Sequence, residues 1–108
     1  MERIARVDKF LVTQFAYFLE RLKGTQESEG TLLDNSMIVY GSAISDGNRH
    51  KHHDLPIIVA GGGAGTLKSG RYIKNDNETP LNNLFLSLGD RMGAKIGELG
   101  DSTGRLKL

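Results

Sequence analysis

Cysteine is absent from the chain. That excludes a disulfide framework and thiolate chemistry and is compatible with any compartment. An excess of either charge is also missing: 14 Lys and Arg stand against 13 Asp and Glu, a net charge of +1. A balanced chain has no electrostatic pull towards nucleic acid or an anionic membrane, and neither is expected as a partner. No apolar run approaches the ~20 residues that cross a bilayer as a helix. Residues 1–9 are charged and mixed, so no secretory signal opens this chain, and the signal of an exported parent would lie outside it. There is no internal repeat.

What is present fits one domain, or part of one, in 108 residues. A chain of this size buries only about 60–65% of the surface that its unfolded form exposes, enough for one modest core. Ile4, Val7, Leu11, Phe15, Phe18 and Leu22 recur at steps of three and four, with Val12 and Leu19 beside them. The spacing predicts one long amphipathic helix over residues 3–23, stopped by Gly24. Polar "TQESEG" then reads as a loop.

Two short apolar runs follow, Met37-Ile38-Val39-Tyr40 before Gly41 and Ile57-Ile58-Val59-Ala60 after Pro56. Each is continuous and bounded by turn residues, the pattern of a strand buried on both faces. A hairpin is expected around residues 67–73. A second helix is expected over residues 80–92, with Thr79 as N-cap, Pro80 in the first position, and Gly93 as the stop. Its buried face would be Leu81, Leu84, Phe85, Leu88 and Met92. Phe10, Phe15, Phe18 and Phe85 fall on helix stripes and read as core. The fold class is α/β: short buried strands flanked by helices that cover a small sheet. Two central-type strands without edge strands look like a piece of a larger sheet. Such a slice leaves edges and faces open, so a homodimer or larger assembly is expected of the isolated chain.

The long connection between the two strands, "SAISDGNRHKHHDLP", holds all three histidines, His50, His52 and His53, between Asp46 and Asp54. Connections of this length are often functional. Imidazoles suit Zn, Fe and Mn, and carboxylates are hard oxygen donors for Zn, Mg, Mn or Ca. In an extended segment His50 and His52 point to the same side. Asp46-Gly47 also reads as an ordinary turn, and the loop as a plain polar connection. Arg49 and Lys51 oppose a nearby metal but suit an anionic phosphate or sulfate.

Taken together, "EGTLLDNSMIVYGSAISDGN", the long helix before it and "LPIIVAGGG" after it resemble the alkaline phosphatase and sulfatase superfamily. Many of its members carry a long helix, a "G-x-L-D-N-T" turn, an apolar strand ending in "S-D-N-G" or "S-D-H-G-N", a His- or Lys-bearing loop and a "P-L-I-V-A-G" strand. Leu33-Asp34-Asn35-Ser36, Ile38-Val39-Tyr40, Ser45-Asp46-Gly47-Asn48 and residues 56–61 carry the parallel. "TPLNNLFLSLGDRMG" is similar to a helix near the C-terminus of members. The nearest likeness is to an uncharacterised bacterial family related to that superfamily, which has runs very like "SDGNRHKHHDLPIIVAGGG" and "GDSTGRL".

The resemblance implies the C-terminal part of a larger, mostly parallel sheet flanked by helices. It implies a parent that hydrolyses a small anionic phosphate or sulfate ester with a divalent metal, the nucleophile lying in an N-terminal portion absent here. The chain alone would then be inactive. By the same resemblance Asp46 is a metal ligand at the end of its strand, with His53 as the first histidine candidate and His52 and His50 next. Asn48 and Arg49 would line the substrate side. Members carry a second ligand directly after the aspartate, where this chain has Gly47. The alternative function is a scaffold, binding or assembly module that keeps the fold without the chemistry.

"AGGGAG", residues 60–65, invites a phosphate-cradle reading but matches neither nucleotide-binding glycine pattern. Leu67 stands where G-x-x-x-x-G-K-[ST] needs glycine, and Thr66 and Lys68 occupy the final-glycine places of G-x-G-x-x-G. It reads as a tight exit from a strand. Ser102 of "GDSTGRL" has no base at a telling distance and reads as part of a turn.

Overall fold

The computed structural model describes residues 1–76 and 78–108. Their order is α1 (Glu2–Lys23), β1 (Ile38–Gly41), β2 (Ile57–Ala60), a single 3-10 turn (Gly63–Gly65) and α2 (Leu81–Arg91). This is a small mixed α/β unit with two helices and one two-stranded antiparallel sheet. The helix–strand–strand–helix order and the shared sheet follow the expectation. The burial does not.

α1 forms on its periodicity and on charges matched to its dipole, with Glu2 in the first turn and Arg21 and Lys23 in the last. Gly24 closes it, donating its amide to the Glu20 carbonyl at 2.9 Å. The apolar stripe, however, is open. No residue of α1 is fully buried; Ile4 is 64% exposed, Phe10 61% and Phe18 47%. Phe10 and Phe18 are therefore surface residues, not core, because no other described element lies across that face. Phe15 is half-buried and stacks on Tyr40 of β1, ring centroids 4.5 Å apart and planes 19° from parallel.

β1 and β2 pair Ile38 with Ala60, Val39 with Val59, Tyr40 with Ile58 and Gly41 with Ile57. The strands were expected to be buried on both faces. Instead Val39 and Ile58 are exposed and their neighbours half-buried. With one pair and no second layer, neither face is closed. The pair is antiparallel, so the long connection doubles back where a parallel pair would require a crossover.

The glycine-rich exit from β2 is fastened to the turn before β1. The amides of Gly62, Gly63 and Ala64 donate to the carbonyls of Leu33, Ser36 and Asp34 at 3.1, 3.0 and 2.9 Å. Thr31 and Asp34 brace that turn reciprocally: the Thr31 amide reaches Asp34 Oδ2 at 2.9 Å, and the Asp34 amide reaches Thr31 Oγ1 at 3.1 Å. The Thr31 amide holds the Asp34 carboxyl below the usual carboxylate range. Gly61 is required here. Its φ is +102°, and a Cβ would run into the Ser36 carbonyl oxygen.

Residues 67–73 form neither strand nor hairpin, contrary to expectation. Lys68, Gly70 and Arg71 leave them no apolar alternation to pair. α2 begins one residue later than expected. Pro80 is its N-cap, in extended backbone, and Thr79 caps nothing: its hydroxyl donates to the Asp76 carbonyl at 2.8 Å. Gly93, at φ +80°, terminates the helix as expected, its amide on Asp90.

The core sits in α2, where Leu84, Leu86 and Leu88 are buried with Asn83 and Ser87. Leu86, 1% exposed, was not on the expected face, while Met92 is 73% exposed and Phe85 is a surface residue. The tail explains the rotation. Residues 99–106 fold back over α2, with Asn83 Nδ2 donating to Thr103 Oγ1 at 3.0 Å and the Thr103 amide to Asn83 Oδ1 at 2.9 Å. Arg105 adds a two-pronged bond to Asp90, at 2.6 and 3.1 Å. The radius of gyration, 15.5 Å, exceeds the ~13 Å of a compact chain of this length, as the uncovered α1 requires.

Candidate functional site

The loop of residues 42–56 leaves the C-terminal end of β1 and enters the N-terminal end of β2 at the same end of the sheet. Ser42 starts it by donating its hydroxyl to the Ile44 carbonyl at 2.7 Å. A small antiparallel bridge then forms between Asp46 and Lys51. The Ser45 amide donates to the Lys51 carbonyl at 2.8 Å, and the Lys51 amide to the Asp46 carbonyl at 3.3 Å. Asp46 closes the turn between them. Its Oδ1 accepts from the amides of Asn48 and Arg49 at 3.0 and 3.2 Å, and its Oδ2 lies 3.9 Å from Arg49 Nε. An aspartate followed by glycine does this readily, since its short side chain mimics a backbone acceptor. Gly47 has open space around it.

The three histidines differ in how they are held. His50 takes a left-handed backbone, φ +52°, at the end of the turn. His52 is anchored, its Nδ1 3.0 Å from the Ala43 carbonyl. His53 is exposed and precedes Asp54, which is also left-handed at φ +52°. A groove runs beside the loop towards the first half of α1 and the residues before α2. His52, His53 and Asp54 line it with Arg71 and Tyr72, whereas Asp46, Asn48, Arg49 and His50 lie outside it.

Among the described residues no three His, Asp or Glu side chains gather closely enough to hold a metal ion. No imidazole among them is ion-paired with a carboxylate. Asp46 shares its bridge face with Lys51, and the pleat turns His52 the other way. Asp46, His50, His52 and His53 thus fit a divalent ion as donors of the right kind, and they form no complete ligand set in this arrangement. Arg49 keeps Asp46 as its nearest acid and leaves part of its guanidinium available to an anion.

The glycine segment after β2 is no phosphate cradle. The amides of Gly62, Gly63 and Ala64 that would face a phosphate already bond the turn before β1. Ser102 is a turn residue, its hydroxyl accepting from the Leu99 amide at 2.8 Å. Sequence reasoning did not single out the His52–Ala43 contact. No periodicity signals it, because it depends on how the loop returns.

Among the described residues no helix is long and apolar enough to cross a membrane. Fold and loop together define a small mixed α/β unit with a histidine-bearing connection at one end of its sheet. Comparison with models of protein families, with curated proteins and with solved structures returns no match.

Proposed function

We propose that this chain is the C-terminal part of a metal-dependent phosphate or sulfate ester hydrolase resembling the alkaline phosphatase and sulfatase superfamily. The observation that carries this reading is the position of the loop. The "SDGN" turn, with Asp46 at its head, lies just beyond the C-terminal end of β1; His50 ends the turn, and His52 and His53 follow on the limb that returns to β2. In this reading Asp46 and one or more of His53, His52 and His50 contribute donors to a divalent ion (Zn, Mn, Mg or Ca), and Asn48 and Arg49 face the ester's anionic group. The ion, when bound, neutralises that anion and lowers the pKa of the attacking group. The nucleophile, the remaining donors and the final arrangement of the loop come from the rest of such a fold. The test is hydrolysis of p-nitrophenyl phosphate and p-nitrophenyl sulfate by the product of the full reading frame around this segment, with each metal in turn. Activity lost in Asp46→Ala supports the reading, and no turnover of either ester with any metal overturns it.

A second reading is a scaffold or assembly module without chemistry. The open apolar face of α1 and the uncovered sheet favour it, as does Gly47 in the place of a second ligand.

A further inference from the structure

We propose that the Asp46–Gly47 bond is a site of spontaneous aspartate isomerisation, and that the change opens the histidine loop. The inference goes beyond the hydrolase reading and stands without it. Asp46 is the only aspartate of the chain followed by glycine, and no asparagine is. Glycine matters because the nucleophile is the amide nitrogen of the next residue, and a Cβ there crowds its approach. Gly47 is exposed, with nothing within 4 Å of a Cβ built on it. Among the described residues its amide donates to no acceptor. Most other aspartates differ. The amides that follow Asp34 and Asp101 are bonded, Asn35 to the Thr31 carbonyl at 3.3 Å and Ser102 to the Leu99 carbonyl at 2.9 Å. Those that follow Asp8 and Asp90 lie inside α1 and α2, where the helical ladder holds them. Asp54 precedes the branched side chain of Leu55.

The carboxyl group is prepared as well. Asp46 Oδ1 accepts from the amides of Asn48 and Arg49 at 3.0 and 3.2 Å. When the Gly47 nitrogen adds to Cγ, negative charge gathers on that oxygen, and donors already in place lower its energy. Oδ2, 3.9 Å from Arg49 Nε, is the oxygen that leaves. The N–Cγ bond forms and the Cγ–Oδ2 bond breaks. Oδ2 departs as water, with the hydrogen of the Gly47 amide and a proton from solvent. The cyclic imide then takes back one water. Addition at Cγ restores aspartate. Addition at the main-chain carbonyl carbon of Asp46 breaks its bond to the Gly47 nitrogen, and the chain then runs through Cβ and Cγ. That product, isoaspartate, has the atoms of aspartate and one more carbon in the backbone. The carbonyl oxygen that received the Lys51 amide now belongs to a free carboxylate, and the Cγ oxygen that held Asn48 and Arg49 belongs to the main chain. The bridge between Asp46 and Lys51 opens, and with it the limb that places His52 Nδ1 on the Ala43 carbonyl.

The experiment ages the full folded chain at neutral pH and body temperature. Isoaspartate is counted by methyl transfer from labelled S-adenosylmethionine with protein L-isoaspartyl methyltransferase, and is located by electron-transfer fragmentation of the peptides. The expected result is a separately eluting peptide of unchanged mass whose isoaspartate lies at Asp46. Gly47→Ala places a methyl group in open space, so it should leave the fold intact and lose most of that signal. Amide exchange in the aged chain should quicken over residues 43–52 and stay the same in α2. Three results overturn the assignment: no isoaspartate at Asp46 in the folded chain, more of it at Asp54 or Asp101 than at Asp46, or accumulation at Asp46 in urea only, which would make the turn a protection. Isoaspartate at Asp46 with unchanged exchange over residues 43–52 overturns the opening of the loop.

Discussion

Ser87, in the middle of α2, donates its hydroxyl to the carbonyl of Leu106 at 2.7 Å, across 19 residues of sequence. Both the helix core and the tail depend on this contact. Ser87 is 1% exposed and Leu106 is half-buried. Ser87→Ala should cost about 1–2 kcal/mol, the penalty of a carbonyl left without its donor. Asn83→Ala removes both side-chain bonds to Thr103 and should cost more, about 2–3 kcal/mol. Urea unfolding followed by circular dichroism measures both.

Gly61→Ala is expected to be the most damaging substitution at a glycine. The new Cβ meets backbone, the Ser36 carbonyl, and the φ of +102° is itself hostile to a side chain. A cost of about 3 kcal/mol is expected from strain and displacement together. Gly65→Ala, where nothing lies within 4 Å of the added Cβ, pays only for its positive φ and should melt at a distinctly higher temperature than Gly61→Ala.

The tail should loosen in acid. The hydrogen bond from Arg105 holds the Asp90 carboxyl below the usual carboxylate range. A depressed folded-state pKa contributes stability that is present above the unfolded value and is lost as pH falls through the folded one. Attachment of the tail should therefore weaken from about pH 4 downwards. In Arg105→Gln the Asp90 carboxyl should titrate closer to its ordinary value and the acid dependence should flatten. Carboxyl 13C shifts followed through the titration distinguish the two proteins.

Phe15 is the ring that ties α1 to the sheet. Phe15→Ala should cost about 1 kcal/mol for the lost stacking, in addition to its buried area. The change should appear first as faster amide exchange within α1, with exchange in α2 little altered, because among the described residues no hydrogen bond or ion pair joins the two helices.

Self-association is expected from the open surfaces. The isolated chain should sediment as a homodimer or larger at high concentration, and the pair Ile4→Glu with Leu11→Glu should shift it to monomer. A wild-type chain that stays monomeric would sink the expectation.

The elements most legible in the sequence were those fixed by local rules. The stripe from Ile4 to Leu22 marked α1, and the apolar runs at Ile38 and Ile57 marked the strands, because periodicity and turn residues act over a few positions. Burial was less legible. Continuous apolar strands imply cover on both faces only when other layers exist to supply it, and Val39 and Ile58 have none. The buried face of α2 was turned away from Phe85 and Met92 towards Leu86 and Ser87 by a tail more than ten residues downstream. Asp46-Gly47 was legible as a turn, and the geometry shows that turn. The anchoring of His52 was not legible, because a side-chain bond to Ala43 depends on where the loop comes back.

The bridge between Asp46 and Lys51 makes the connection a loop within a loop. Chain entropy charges for each closure by the length enclosed, at ~0.6 kcal/mol per doubling. Residues 47–50 form the short inner ring, which closes on local contacts alone. Once it is shut, Gly41 and Ile57 are separated by less free chain than their numbers suggest. The pair nearest the histidine loop, Gly41 and Ile57, is then the least costly to close, and Ile38 and Ala60 lie at the far end of the ladder. The segment that carries the candidate chemistry thereby also gives the strand pair a local contact, a low-contact-order start for an otherwise non-local pairing.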